Sequence, residues 1–307
     1  MGAAPCERRE VTSPSIEIVR TNEHFIGRFK AMACPCEVLI ETAEASLAER
    51  ATTIASQCAW RIEHKFSRYR NDNIVHRINT ANGAPTVVDD ETAKLIDFAD
   101  TLTRVSGGRF DLTSGVLRRA WTFDGGDQVP NQSTIDGLLQ HAGWHKVRWR
   151  RPELQIQPQM QIDFGGIGKE YAVDTATHLI EKELGDISCV VNLGGDIAAR
   201  HPRKDGAPWR VGVEAAAAPG AAVGLIRFRQ GGLATSGDSR RFVLANGKRY
   251  SHILDARTGW PVPDACRSVT VIAGTCTQAG ALTTLAMLEG ANARRFLEDQ
   301  SVQFWLQ

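Results

Sequence analysis

The stretch Asp163-Phe-Gly-Gly-Ile-Gly-Lys-Glu-Tyr-Ala-Val-Asp174 places glycines at 165, 166 and 168 directly before residues that recur at helical spacing. Ala172, Ala176, Leu179 and Ile180 form one apolar face of the helix that this turn opens. Glycine lets a backbone turn tightly and approach a ligand closely, and a helix start offers unpaired N–H groups. Lys169 adds a positive charge, so the turn is suited to cradle a pyrophosphate. Equally, its glycines suit a tight strand-to-helix connection that binds nothing. The spacing is neither that of the dinucleotide fingerprint nor that of a Walker loop. Beyond the helix, Ser188–Leu193 is an apolar, strand-like run ending in Gly194-Gly195-Asp196.

Working outward, the pattern is strand-like from Ile16, and Val38 and Ile40 alternate with polar neighbours in a second strand. Leu47, Ala51, Ile54, Cys58, Ile62 and Phe66 predict a long helix. A second helix starts at Asp90, with Leu95, Ala99, Leu102 and Val105 on one face and Gly107-Gly108 ending it. Phe123–Gln132 reads as a loop, and short strands are expected around Val147–Trp149 and Leu154–Ile156. The Ala/Gly/Pro tract Ala215–Ala222 is expected to be a surface loop between strand-like segments. Further strands are expected near Arg210–Val213, Gly224–Phe228, Arg241–Leu244 and Ser268–Ile272. A closing helix begins near Thr277, and a last strand includes Val302–Trp305. Strand runs with a few long helices and hairpin-length connections indicate an α+β fold, with mixed, largely antiparallel sheets flanked by helices. No linker divides the chain, so residues 1–15 are expected to be a flexible tail and 16–307 a single domain.

Of 307 residues, 42% are hydrophobic and 23% charged, which excludes a disordered chain. Lys plus Arg number 36 against 35 Asp plus Glu. That balance removes the electrostatic reason to expect general binding to nucleic acid or an anionic membrane. No apolar run reaches the roughly 18–20 residues of a membrane helix, and the start lacks the apolar core of a secretory signal. Of seven cysteines only Cys34-Pro-Cys36 is close-spaced, and that is not a zinc-ligand spacing. We expect reduced, mostly buried thiols in a cytoplasmic protein with no membrane insertion.

Three further segments carry polar chemistry. In His252-Ile-Leu-Asp255-Ala-Arg-Thr-Gly259 the histidine is suited to take a proton from a hydroxyl nucleophile, although an isolated histidine beside a turn is often only structural. Ala234-Thr-Ser-Gly-Asp238 reads as a small-residue turn with two hydroxyls and a carboxylate. In Gly108-Arg-Phe-Asp-Leu-Thr113, Asp111 and Thr113 follow a helix end and alone suit an Asx-type turn or cap.

Taken in order with Met32, Ser67-Arg-Tyr69 and Asn192-Leu-Gly-Gly-Asp196, these segments resemble the FAD:protein FMN transferases of the ApbE type over roughly residues 25–307. The resemblance implies a magnesium-dependent enzyme that moves FMN from FAD to a threonine of an acceptor flavoprotein, releasing AMP. It implies His252 as the base that activates the threonine, with Asp255 orienting its ring. Met32, Tyr69, Asp111, Leu112, Thr113, Gly165, Lys169, Tyr171 and Ile253 would line the flavin nucleotide. The metal would be held by the Gly168 carbonyl, Thr284 and a carboxylate at 280.

This chain has glycine at 280, where the family pattern A-D-A-L-x-T has aspartate, and Glu170 where the family commonly has glycine after the lysine. Glu170 is therefore expected to restore the lost metal carboxylate. The plainer alternative is a solvent-facing glutamate favoured in a helix's first turn by the dipole. Two other functions stay open: an FAD pyrophosphatase, with water as nucleophile, and a non-catalytic FAD-binding protein.

Overall fold

The computed structural model describes residues 15–307, so nearly all of the tail expected over 1–15 lies outside the described residues. Eight strands form the central sheet: Glu17–Arg20, Phe25–Ala31, Cys34–Ile40, Cys189–Leu193, Asp196–Ala199, Gly231–Gly237, Ser268–Ala273 and Gln303–Leu306. Their order across the sheet is their order along the chain, and every pairing is antiparallel. The sheet is thus a meander whose connections carry the helices. These are α1 (Ala45–Phe66), α2 (Ile74–Asn79), α3 (Asp90–Val105), α4 (Gln132–Leu139), α5 (Gly168–Leu184), α6 (Cys276–Leu288) and α7 (Ala293–Asp299).

The central strands are buried on both faces, which is why Cys189–Leu193 reads as a continuous apolar run rather than an alternating one. Val191, Leu193, Ala198 and Ala234 face the main core with Ala51, Ile62, Ala172 and Ala286 of the helices. Val190, Ile197, Ala199 and Leu233 face the other way, against Trp209, Val213, Ile226 and Phe228. Those four belong to a long hairpin, Trp209–Ala215 with Ala218–Phe228. The tract Ala215–Ala222 is therefore the bulged tip of that hairpin and not a loop between separate strands. Its register shifts at Ala218/Ala222 and Ala222/Gly224 remove the alternation a sequence pattern would show.

Two other expectations are corrected. Val105 is 67% exposed, because the chain leaves α3 at Ser106 before that face returns to the core. Ala234–Asp238 is no turn: residues through Gly237 form an inner strand paired to Asp196–Ala199 and Ser268–Ala273. Small side chains there let α6 lie directly on the sheet, and a Cβ at Gly232 would strike the backbone of Cys276.

A third cluster supports the loops. Val116, Leu117, Ile135 and Val243 pack around Trp121, whose ring stacks on Phe123 at 5.3 Å and meets Trp260 edge-on at 5.2 Å. Trp121 Nε1 donates to the Gly259 carbonyl at 2.9 Å, which anchors the 255–259 turn.

Candidate functional site

The glycine turn at 165–168 sits at the start of α5. Asp163 Oδ1 accepts the Gly165 N–H at 2.8 Å, and its Oδ2 receives Arg68 Nη1 at 3.2 Å, so one carboxylate fixes the turn. Gly165 and Gly166 are exposed. Lys169 follows on the first turn of α5 with Nζ 2.7 Å from Asp196 Oδ2, on the neighbouring strand. Burial lowers the affinity of that amine for its proton, but the Asp196 and Glu170 carboxylates together more than offset it, and Lys169 stays charged.

Helices α5 and α6 are clasped together one turn further along. The Asp174 carboxylate accepts the N–H groups of Cys276 and Thr277, each at 2.8 Å, and the Thr277 hydroxyl at 2.6 Å. This satisfies orphan donors at the start of α6 and favours a negative charge there. Residues four apart share a helix face. The clasp between 174 and 276 thus sets Glu170 against Gly280, with Thr284 a further turn along α6. A Cβ at Gly280 would lie 2.5 Å from Glu170 Cγ and 2.9 Å from its Oε1. Glu170 Oε2 is enclosed and has no hydrogen-bond partner. Burial first, then the Asp196 carboxylate, pushes its pKa up to about 8 against the pull of Lys169. Glu170 is thus half-buried, with one carboxylate oxygen turned away from solvent. Thr284 and Thr283 hydroxyls approach Ser236 Oγ at 3.4 and 2.9 Å, so the strand Gly231–Gly237 delivers a hydroxyl to this corner.

His252 arrives on a second support. The strands Phe242–Ala245 and Lys248–Ser251 pair as a hairpin, turned by Asn246-Gly247 with φ of 50° and 74°, the left-handed pair such a turn requires. His252 follows directly, with its ring edge-on to Phe123 at 6.3 Å. Its Nδ1 is enclosed and unpartnered. Burial, then the positive charges of Arg118 and Arg241, hold its pKa down to about 3, so the imidazole is neutral around pH 7. Lys169 adds to this field and to that at Cys34, which joins the glycine turn, the Cys34 strand and the histidine loop in one electrostatic neighbourhood.

Several expected lining residues have other duties. Asp111 does not face open space: it accepts Thr113 N and Oγ1, both at 2.7 Å, and Trp144 N at 2.6 Å, while Thr113 Oγ1 accepts Gly143 N at 2.7 Å. Leu112 is also buried, and its carbonyl holds the Asp163 N–H at 3.0 Å beneath the glycine turn. The Tyr171 hydroxyl is committed to Glu91 at 3.0 Å, alongside Arg61 and Lys65. Asp255 is not bonded to His252 among the described residues. Its carboxylate takes the Arg257 backbone and guanidinium at 2.7–3.0 Å and shapes the turn. Ile253 is half-buried against the core, and Tyr69 is 90% exposed with Arg68 beside its ring, free to cover a flat ligand. Met32 and Ala33 have φ of 52° and 58°, a strained tip for side chains other than glycine.

Arg118 went unnoticed in the sequence. It makes no ion pair among the described residues and lies over the Phe123 ring at 5.2 Å. Nothing near it in sequence marks it, since the histidine whose proton affinity its charge lowers follows a distant hairpin. Asp196 and Ser236 lay within quoted motifs without an assigned task.

An antiparallel α+β frame thus brings Lys169 at the glycine turn, Arg118 and Arg241 within electrostatic reach of a neutral His252, a field of positive charge that suits an anionic group. The ApbE family model matches residues 32–306. The FAD:protein FMN transferase of Haemophilus influenzae is 28% identical over 235 residues, covering 73% of this chain and 68% of that one. That of Chlamydia pneumoniae is 31% identical over 257 residues, covering 79% and 78%. The crystal structure of the ApbE protein of Thermotoga maritima superposes with a TM-score of 0.83 at 28% identity, covering 92% of this chain and 94% of that one. The chain belongs to the ApbE family and is a homologue of flavin transferases.

Proposed function

We propose that this protein is an FAD:protein FMN transferase that moves FMN from FAD to a threonine hydroxyl of an acceptor flavoprotein, in the cytoplasm and with magnesium. The observation that carries this reading is the match to the ApbE family over residues 32–306, in a structure that holds His252 with an enclosed, unpartnered Nδ1. A hydroxyl nucleophile needs a base that is unprotonated at neutral pH, and a pyrophosphate needs fixed positive charge around it.

The step balances as a phosphoryl-type substitution. The threonine oxygen forms a bond to the phosphorus on the FMN side of the pyrophosphate, the bond from that phosphorus to the bridging oxygen breaks, and AMP leaves. His252 accepts the hydroxyl proton. Lys169 and Arg118 hold the phosphates, which supplies position and charge neutralisation rather than covalent help. Tyr69, Met32 and Ile253 are the side chains suited to the flavin itself.

The residues fit a magnesium ion. Their donors are all oxygen, namely the Gly168 carbonyl, the Thr284 hydroxyl and an enclosed carboxylate oxygen without a partner on Glu170, and magnesium prefers oxygen ligands. When bound, the ion would supply further neutralisation of phosphate charge.

The test is incubation with FAD and Mg²⁺, with and without an acceptor domain, following AMP by chromatography and the acceptor by intact mass. AMP with an FMN-sized mass gain supports the transferase. AMP and FMN without labelling indicate the pyrophosphatase, and bound FAD without AMP indicates a flavin-binding relative.

A further inference from the structure

The contact between Glu170 and Gly280 has the form of an exchange. Two helices locked by Asp174 leave room at that level for one carboxylate-bearing side chain, and a Cβ on 280 would collide with Glu170 Cγ at 2.5 Å. The carboxylate reaches the position from α5 instead of α6. It is held between the helices with Oε2 enclosed and unpartnered. Leaving a buried carboxylate oxygen unsatisfied costs about 1–3 kcal/mol or more, so such an atom points to a missing partner. The adjacent cation, Lys169, is already engaged with Asp196 at 2.7 Å. Thr284 lies one turn beyond Gly280 on the same face, and the Gly168 carbonyl lies two residues before Glu170.

We propose that Glu170 is a direct magnesium ligand in this protein, replacing from α5 a carboxylate that α6 cannot carry here, with Gly280 kept as glycine to admit it. This rests on the magnesium-dependent transferase reading above. A divalent cation bound to Oε2 gives the orphaned oxygen its partner and neutralises the clustered charge of Glu170 and Asp196.

Binding of Mn²⁺ as a magnesium substitute, followed by loss of the free-ion EPR signal with and without FAD, tests this apart from turnover. The wild type is expected to bind, and Glu170→Gln, which keeps shape and volume, to lose affinity about tenfold or more. Melting curves and FAD binding establish that the variant is folded. Gly280→Asp alone is expected to lower the melting temperature because of the collision. Combined with Glu170→Gly, it should regain both stability and Mn²⁺ affinity to within a few-fold of wild type. If Glu170→Gln binds Mn²⁺ as well as wild type, Glu170 only fills space and the proposal is overturned, while the transferase reading stands. If the wild type binds no Mn²⁺ even with FAD, both the ligand assignment and the metal dependence fall.

Discussion

Lys169 Nζ stands 2.7 Å from Asp196 Oδ2, and the Asp196 side chain is only 3% exposed. The pair ties the first turn of α5 to the sheet and fixes the amine beside the glycine turn. Removing the amine leaves a buried carboxylate without its cation, which costs about 1–3 kcal/mol. Lys169→Ala is therefore expected to lower stability in urea unfolding by that order and to weaken FAD binding about tenfold or more, read by flavin fluorescence. Unchanged FAD affinity would separate Lys169 from the phosphates.

His252 should behave as a base that is already neutral. Its pKa near 3 lies below the ordinary histidine value of about 6.5. The acid limb of the transfer rate attributable to it is thus expected well below pH 5, not near 6.5. His252→Ala should reduce transfer about 10²–10⁴-fold with FAD affinity nearly retained. The same depression has a stability consequence. Between about pH 6.5 and 3 the unfolded chain binds a proton at this site and the folded chain does not, so stability falls as pH falls through that window. The melting temperature of His252→Asn should decline less steeply there than that of wild type.

The long helices were legible because their apolar faces repeat at helical spacing over many residues, as in Ala51, Cys58 and Ile62 of α1. The His252 loop and the glycine turn were legible as segments dense in residues with few purely structural uses. The strand carrying Ser236 was not. Its Gly-Gly-Leu-Ala-Thr-Ser-Gly sequence is small because α6 rests on it, and small polar residues imitate a turn. Asp111 and Thr113 stayed ambiguous between cap and ligand because both uses need the same chemistry; the structure adds the 2.6–2.7 Å bonds between them and to the 143–144 backbone. Arg118 acquires meaning only through folding.

Asp174 is expected to matter for stability more than for chemistry. It caps α6 from another helix, and helix caps contribute about 0.5–2 kcal/mol. Asp174→Ala should cost at least the upper part of that range in urea unfolding, because the interhelical clasp is lost as well. It should also weaken Mn²⁺ binding by loosening the register of Glu170 on Gly280. A variant as stable as wild type would contradict the clasp.

Cys34 should be the most reactive thiol of those described. A hydrogen bond from Cys36, with Sγ atoms 3.9 Å apart, lowers its pKa to about 7 despite burial, and Lys169 assists. Burial pushes the Cys189 thiol up to about 12. Peptide mapping after brief iodoacetamide treatment should show Cys34 labelled first, increasingly as pH rises through 7, and more slowly in Lys169→Ala. Equal labelling of Cys34 and Cys189 would refute the assignment.

The most direct measurement is fragmentation mass spectrometry of an acceptor flavoprotein after reaction with FAD and Mg²⁺, run side by side with wild type and His252→Ala. Flavin phosphate esterified to one threonine, with one AMP released per label and both nearly absent with His252→Ala, is the expected result. Stoichiometric AMP with an unmodified acceptor, or labelling that is indifferent to His252, would contradict a threonine-directed transferase built on that histidine.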